Sequence, residues 1–242
     1  MKILNYLKKL EKEEIKKVNK TKQEDLKLLK KSKEVSILSK ELKYDFLELI
    51  RELENIGGNI LKLSKKAINN LTNNKGDKAE DFLIMAFKEI KFFDDKFSKL
   101  KKEFQIKKIN IEQSDIQEIK IDKPENDFLN AKEEYLEAII LFSYLKKGLI
   151  YKPKEKLLKN FKSYTGALSD FCGELLRKAK LNIIEKKYSK KEIKKYYQNT
   201  KDIYQILSSF SFSNKSGVRQ KMEQLKDHVK GLENILFDLK DD

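Results

Sequence analysis

The sequence is poor in the residues that staple, interrupt or metallate a fold. Its single cysteine, Cys172, cannot close an intramolecular disulfide and fits a reducing compartment. Its single histidine, His228, leaves no His/Cys cluster with zinc spacing, which sets zinc enzymology aside. Both residues are read as ordinary helix positions, Cys172 as a small buried hydrophobe rather than a nucleophile. No window reaches the roughly 18 uninterrupted apolar residues of a membrane span. Lysines also break the opening stretch Met1 to Leu10, where a signal peptide would need an apolar run. The expectation is a cytoplasmic protein with no membrane partner. Acidic charge is in deficit: 39 Asp plus Glu stand against 54 Lys plus Arg, a net charge of +15. A field of that sign favours polyanions. The excess is carried by lysine rather than arginine, and lysine meets phosphate as a point charge. Any nucleic-acid binding should therefore be directed at the backbone rather than at base edges.

Strand signals are also scarce, and what remains is helical periodicity. The two prolines, Pro124 and Pro153, stand where new apolar-periodic segments begin, the position a helix tolerates. Helices are expected over about 40–73, 77–103, 126–148, 154–186, 189–210 and 215–240, giving an all-α fold. Gly57-Gly58 reads as a kink or a close helix contact, and Asn73 to Asp77 as a turn. Residues 1–35 form a lysine-rich helical extension ahead of a helical domain spanning 36–242. The isoleucine-rich stretch Phe104 to Asp122 lacks clean helical spacing and is read as a connection.

Two segments carry unexpected charge. In Phe128 to Leu145 apolar residues occur at nearly every angle of the helix, the mark of an element buried on most sides. Glu134 nevertheless falls among Ala131, Ala138, Leu141 and Leu145, and Glu137 shares its face at i+3. An ionised carboxylate in that setting needs a cation or hydrogen bonds, or takes up a proton. The second segment, from Phe161 to about Glu185, packs through Phe161, Tyr164, Leu168, Phe171 and Leu175, with Asp170 and Glu174 turned away at i, i+4. Gly166 and Gly173 flank that acidic side, each costing about 1 kcal/mol relative to alanine in a helix interior. Something should approach closely there, a partner helix or a substrate backbone. Two carboxylates on each of two helices can converge into an all-oxygen site of the kind Mg²⁺ and Mn²⁺ prefer, suited to phosphodiester hydrolysis. Spacing alone leaves the plainer alternative open, since Lys/Glu-rich helices carry many such pairs on solvated faces. The lysines around Tyr196-Tyr197 are equally open between a solvated face and a binding stripe.

At these residues the sequence resembles the Trax branch of the translin family. Glu133 to Ala138 (EEYLEA) is similar to the Trax motif with paired glutamates, and Gly166 to Glu174 (GALSDFCGE) to the motif holding its aspartate and third glutamate. Leu63 to Ile68 (LSKKAI) fits the family's long first helix, and Tyr204 to Leu239 its C-terminal helical region. The resemblance implies a translin-like bundle of roughly seven helices. It implies assembly through dimers toward a homo-oligomeric octamer, as in the family's archaeal members, with single-stranded RNA as ligand and single-stranded DNA as a second. It further implies that Glu134, Glu137, Asp170 and Glu174 bind Mg²⁺, with Mn²⁺ substituting, and carry endoribonuclease activity. Lys146, which follows the paired glutamates, and Arg177, one turn beyond Glu174, become candidates for holding the scissile phosphate, with Lys65 and Lys66 as further RNA contacts. The alternative within the family is a translin-like protein that binds single-stranded RNA or DNA without cutting it.

Overall fold

A computed structural model of the chain describes residues 5–6, 40–108, 122–210 and 217–239. Six α-helices lie in these segments: α1 (Lys40–Thr72), α2 (Gly76–Lys108), α3 (Asp122–Lys147), α4 (Phe161–Ile184), α5 (Lys190–Ser208) and α6 (Gly217–Asp238). There is no strand among the described residues. The expected all-α bundle is what forms. The lysine-rich helical pattern at 1–35 lies outside the described residues except for Asn5 and Tyr6.

Helices α1 and α2 are antiparallel neighbours because each carries one apolar stripe and a short turn joins them. Leu53, Ile56, Ile60, Ala67 and Leu71 of α1 are buried, as are Ala79, Leu83, Ala86, Ile90, Phe93, Phe97 and Leu100 of α2. The α2 positions alternate steps of four and three, the spacing that keeps one seam against a partner. Helix α1 ends in a Schellman motif: Asn74 N donates to Leu71 O at 3.1 Å and Lys75 N to Asn70 O at 2.8 Å, with Asn74 at φ 59°. Asparagine tolerates that left-handed conformation better than most side chains. A Cβ at Gly57 or Gly58 would meet nothing within 4 Å. The expectation of a close helix contact at this pair is therefore not met, and α1 runs through both glycines unbroken.

Helix α2 continues to Lys108, so residues 104–108, expected in a connection, are helical, while 109–121 lie outside the described residues. Helix α3 packs on α1, α2 and α4. It buries Phe128, Ala131, Tyr135, Leu136, Ala138, Ile140, Leu141 and Tyr144, the many-sided burial its sequence implied. Phe128 stacks on Phe93 of α2 with ring centroids 3.7 Å apart.

The start of the following helix also differs from expectation. Pro153 does not open the next helix. It is buried in the crossover between α3 and α4, where its carbonyl accepts a hydrogen bond from Tyr6 Oη at 2.8 Å. Helix α4 starts at Phe161 with Asn160 as N-cap, whose side chain accepts from Ser163 N at 2.8 Å. The crossover brings α4 back beside α3 in the same direction, since Glu133 lies at Gly166 and the Tyr144 ring, farther along, at Phe171. Tyr164, Leu168, Phe171 and Leu175 are fully buried, and α4 packs in turn on α5 and α6.

Candidate metal centre on helices α3, α4 and α6

The parallel course of α3 and α4 decides where the acids meet. Glu137 is buried, with 6% of its surface exposed, although it is a carboxylate. Burial, then the charges of Asp170, Glu134 and Glu174, push its carboxyl well above the ordinary range, with Lys221 acting the other way. The four sequence-predicted acids therefore share one electrostatic neighbourhood. Glu134, half-buried, is also raised, first by burial and then by Asp170, while Lys65 of α1 opposes the shift.

The α4 acids are held differently. Lys221 of α6 places its ammonium 2.6 Å from Asp170 Oδ1 and 2.5 Å from Oδ2, and 3.3 Å from Glu133 Oε1. Burial alone would lower the lysine, but its bonds to Asp170 and then Glu133 hold it above the usual value. Glu174 pairs with Arg177 Nη1 at 3.2 Å, and Thr72 Oγ1, which donates to Ile68 O at 2.7 Å, stands 3.4 Å from Glu174 Oε2. One turn on, Lys178 donates to Asn74 Oδ1 at 2.8 Å and ties α4 to the α1–α2 turn.

The glycines on the acidic side of α4 have identifiable neighbours. A Cβ at Gly166 would come 2.4 Å from the Glu133 carboxylate, and one at Gly173 would come 3.0 Å from His228 Nε2. Close approach was expected, and at both positions a partner helix supplies it, α3 at the first and α6 at the second. His228 is half-buried and its imidazole is lowered, chiefly by burial. Cys172 is fully buried and burial pushes its thiol up to about 12, so it is packing rather than nucleophile, as expected.

The four cationic candidates divide. Lys65 acts on Glu134 from a shallow trough on α1 that it lines with Gly58, Leu61, Lys62, Lys66 and Asn69. Lys66 lies over the Phe82 ring at 5.5 Å. Arg177 is at the acids, on Glu174. Lys146 pairs instead with Glu80 at 2.8 Å, at the exposed end of α3. Its nine-residue separation from Glu137 corresponds to about 14 Å of helix. Of the two adjacent tyrosines in the basic run, Tyr196 is a core residue, 2% exposed and bonded to Glu192, so it offers no stacking platform.

Sequence reasoning passed over Glu133 and Lys221. Glu133 is adjacent to Glu134, and neighbours on a helix point about 100° apart, so a face-based search takes one and leaves the other. Lys221 is one lysine among many, with no local signal.

The donor set is oxygen only, which suits Mg²⁺ or Mn²⁺. Neither Glu134 nor Glu137 makes a salt bridge among the described residues, so ionisation of Glu137 is disfavoured by burial and by the acids around it, and added positive charge would favour it. Among the described residues no three His, Cys, Asp or Glu side chains are already arranged to hold a metal ion. The chemistry of the four acids fits the group, and holding it would require the Asp170 carboxylate to be freed from Lys221.

The fold is shared with solved structures of low sequence identity. A crystal structure of apo-NeC3PO is similar at TM-score 0.65 and 20% identity, covering 84% of this chain and 98% of that one. AfC3PO in a complex with duplex RNA is similar at TM-score 0.62 and 18% identity, covering 82% and 93%. A separate crystal structure of AfC3PO gives 0.62 and 17%, covering 83% and 94%. No curated protein matches the chain. The model of the translin family matches residues 48–240, which takes in α3, α4 and α6 with all the acids described above, and the chain belongs to that family.

Proposed function

We propose that this protein is a metal-dependent endoribonuclease of the Trax branch, cutting single-stranded RNA at the acids of α3 and α4. The observation that carries this reading is Glu137. A carboxylate 6% exposed, facing three further carboxylates and making no salt bridge among the described residues, is costly to a fold while ionised, and a bound cation would offset that cost. Glu134, Glu137, Asp170 and Glu174 would hold that cation, Mg²⁺ with Mn²⁺ as substitute. When bound, it supplies positive charge for the phosphate and acidifies water for phosphodiester hydrolysis. The chain's own cations do the gathering. Lys65 and Arg177 border the acids, Lys66 extends the trough on α1, and Lys146 is an outlying phosphate contact.

RNA as ligand is supported by the +15 charge and by the likeness to AfC3PO, a protein with a solved structure in complex with duplex RNA. The same reading includes a cytoplasmic homo-oligomer built from dimers toward an octamer. Ile84, Met85 and Phe92, exposed on one face of α2, offer apolar surface for such an assembly, and sedimentation velocity measures its size.

The test compares wild type with Glu137→Ala on a labelled single-stranded RNA in Mg²⁺, Mn²⁺ and EDTA. Wild type should cleave with either metal and stop in EDTA, and the variant should lose about 100-fold or more. Equal cleavage by both proteins removes the proposal. A second reading is favoured by the Lys221–Asp170 contact: the acids serve as structural ion pairs in a translin-like protein that binds single-stranded RNA or DNA. It predicts salt-sensitive binding and no metal-dependent cleavage by wild type.

A further inference from the structure

A lysine from a third helix sits where the four acids need positive charge. Its backbone is fixed, because the hydroxyl of Ser169, a residue 1% exposed, donates to Lys221 O at 2.9 Å. Any displacement of the ammonium therefore falls to the side chain. Its ammonium spans both oxygens of Asp170 and reaches Glu133 Oε1 at 3.3 Å. Glu133 can lie there because Gly166 has no Cβ to exclude it. Asp170 and Glu133 therefore flank one ammonium, and just one of them belongs to the proposed ligand set.

We propose that Lys221 is the resident counter-cation of this cluster and that a divalent ion takes Asp170 by exchange, the ammonium withdrawing onto Glu133. Glu133 is then a positioning residue rather than a ligand, and Lys221 sets how tightly the site holds metal. The physical reason is repulsion. An ammonium and a divalent ion on one half-buried carboxylate stand within a few ångströms of each other, where solvent screens them weakly. The proposal rests on the metal reading above.

The experiment titrates Mn²⁺ into the full chain and follows free Mn²⁺ by electron paramagnetic resonance, with Tm in parallel. Lys221→Met should bind Mn²⁺ about tenfold more tightly than wild type and gain more Tm from it, since no ammonium has to leave. Lys101→Met removes the same charge from a surface pair with Glu125, away from the acids, and should change Kd by less than about twofold. Lys221→Arg keeps the charge but grips a carboxylate with a planar fork, and should weaken Mn²⁺ binding. If Lys221→Met does not fold, as judged by circular dichroism, the arginine variant decides. Unchanged or tighter binding by Lys221→Arg, or equal effects of the two methionine variants, overturns the exchange while leaving the metal site standing. In that case Glu137→Ala still abolishes Mn²⁺ binding. Absence of Mn²⁺ binding in wild type and every variant removes the metal reading itself, and the exchange with it.

Discussion

Helices α3 and α4 each contribute two carboxylates to the proposed ligand set, yet the two pairs are built in opposite ways. On α4, Asp170 holds Lys221 and Glu174 holds Arg177, so each charge is answered inside the protein. On α3, neither Glu134 nor Glu137 makes a salt bridge among the described residues, and burial pushes both upward. One pair is a finished structural element. The other is an unmet electrostatic demand, a feature that clusters at functional sites. On the proposed reading an incoming cation would gain most at Glu137 and would have to displace Lys221 at Asp170.

The largest expected effect asks whether the two pairs act as one site. Glu137→Gln and Asp170→Asn should each reduce metal-dependent RNA cleavage by about 100-fold or more, because each removes an oxygen ligand with its charge. Initial rates on a labelled oligonucleotide measure this. Full activity in Asp170→Asn would break the comparison in the other direction, leaving the α4 pair purely structural.

Stability in EDTA should separate the pairs by sign. Asp170→Asn takes the charged partner from a half-buried ammonium and should destabilise by about 1–3 kcal/mol. Glu137→Gln removes a buried carboxyl that resists ionisation and should stabilise near neutral pH by about 1 kcal/mol, a Tm rise of about 2–4 °C for a chain of this size. Differential scanning calorimetry distinguishes them, and a Tm loss in Glu137→Gln would show that Glu137 has a partner after all.

The same asymmetry gives a pH dependence. The folded Glu137 carboxyl titrates above its unfolded value, so the native state binds the extra proton. That contribution is present at low pH and is lost as pH rises from the ordinary carboxylate range through the raised folded value. Glu133 and Glu134 are raised too and add to the trend. Metal-free wild type should therefore lose stability as pH climbs through that window, and Glu137→Gln should show a flatter profile in chemical denaturation. A wild-type profile that rises there would contradict the assignment.

Helix periodicity was readable wherever one face is apolar over many turns, as in α2 from Ala79 to Leu100. It failed where a short signal competed with a louder one. Pro153 looked like a helix start, whereas the backbone starts the helix at Phe161, capped by Asn160. The acids were legible because Glu134 and Glu137 interrupt an apolar helix, an anomaly visible in one dimension. Lys221 was not, because its meaning lies in contacts with Asp170, 51 residues earlier, and with Glu133, which no local pattern encodes. Glu133 became visible only through Gly166, whose missing Cβ makes room for it.

The smallest expected effects concern the cations, and they test whether nearness to the acids matters for RNA. Lys65 is exposed and acts on Glu134. Lys146 is exposed on a surface pair with Glu80 and stands about 14 Å along α3 from Glu137. Exposed pairs of this kind contribute about 0–1 kcal/mol, so Lys146→Ala should leave Tm nearly unchanged. On the proposed reading both residues would meet phosphate as point charges, so each alanine variant should lower the salt-dependence slope of RNA binding by about one. The two variants should part company once RNA is bound. If Lys65 guides a strand past Glu134, as proposed, Lys65→Ala should also slow cleavage of bound RNA, by several-fold at most, whereas Lys146→Ala should act through affinity alone. Single-turnover cleavage at saturating protein separates the two, and equal rates for both variants would mean that the lysines gather RNA as a diffuse field with no path leading to the acids.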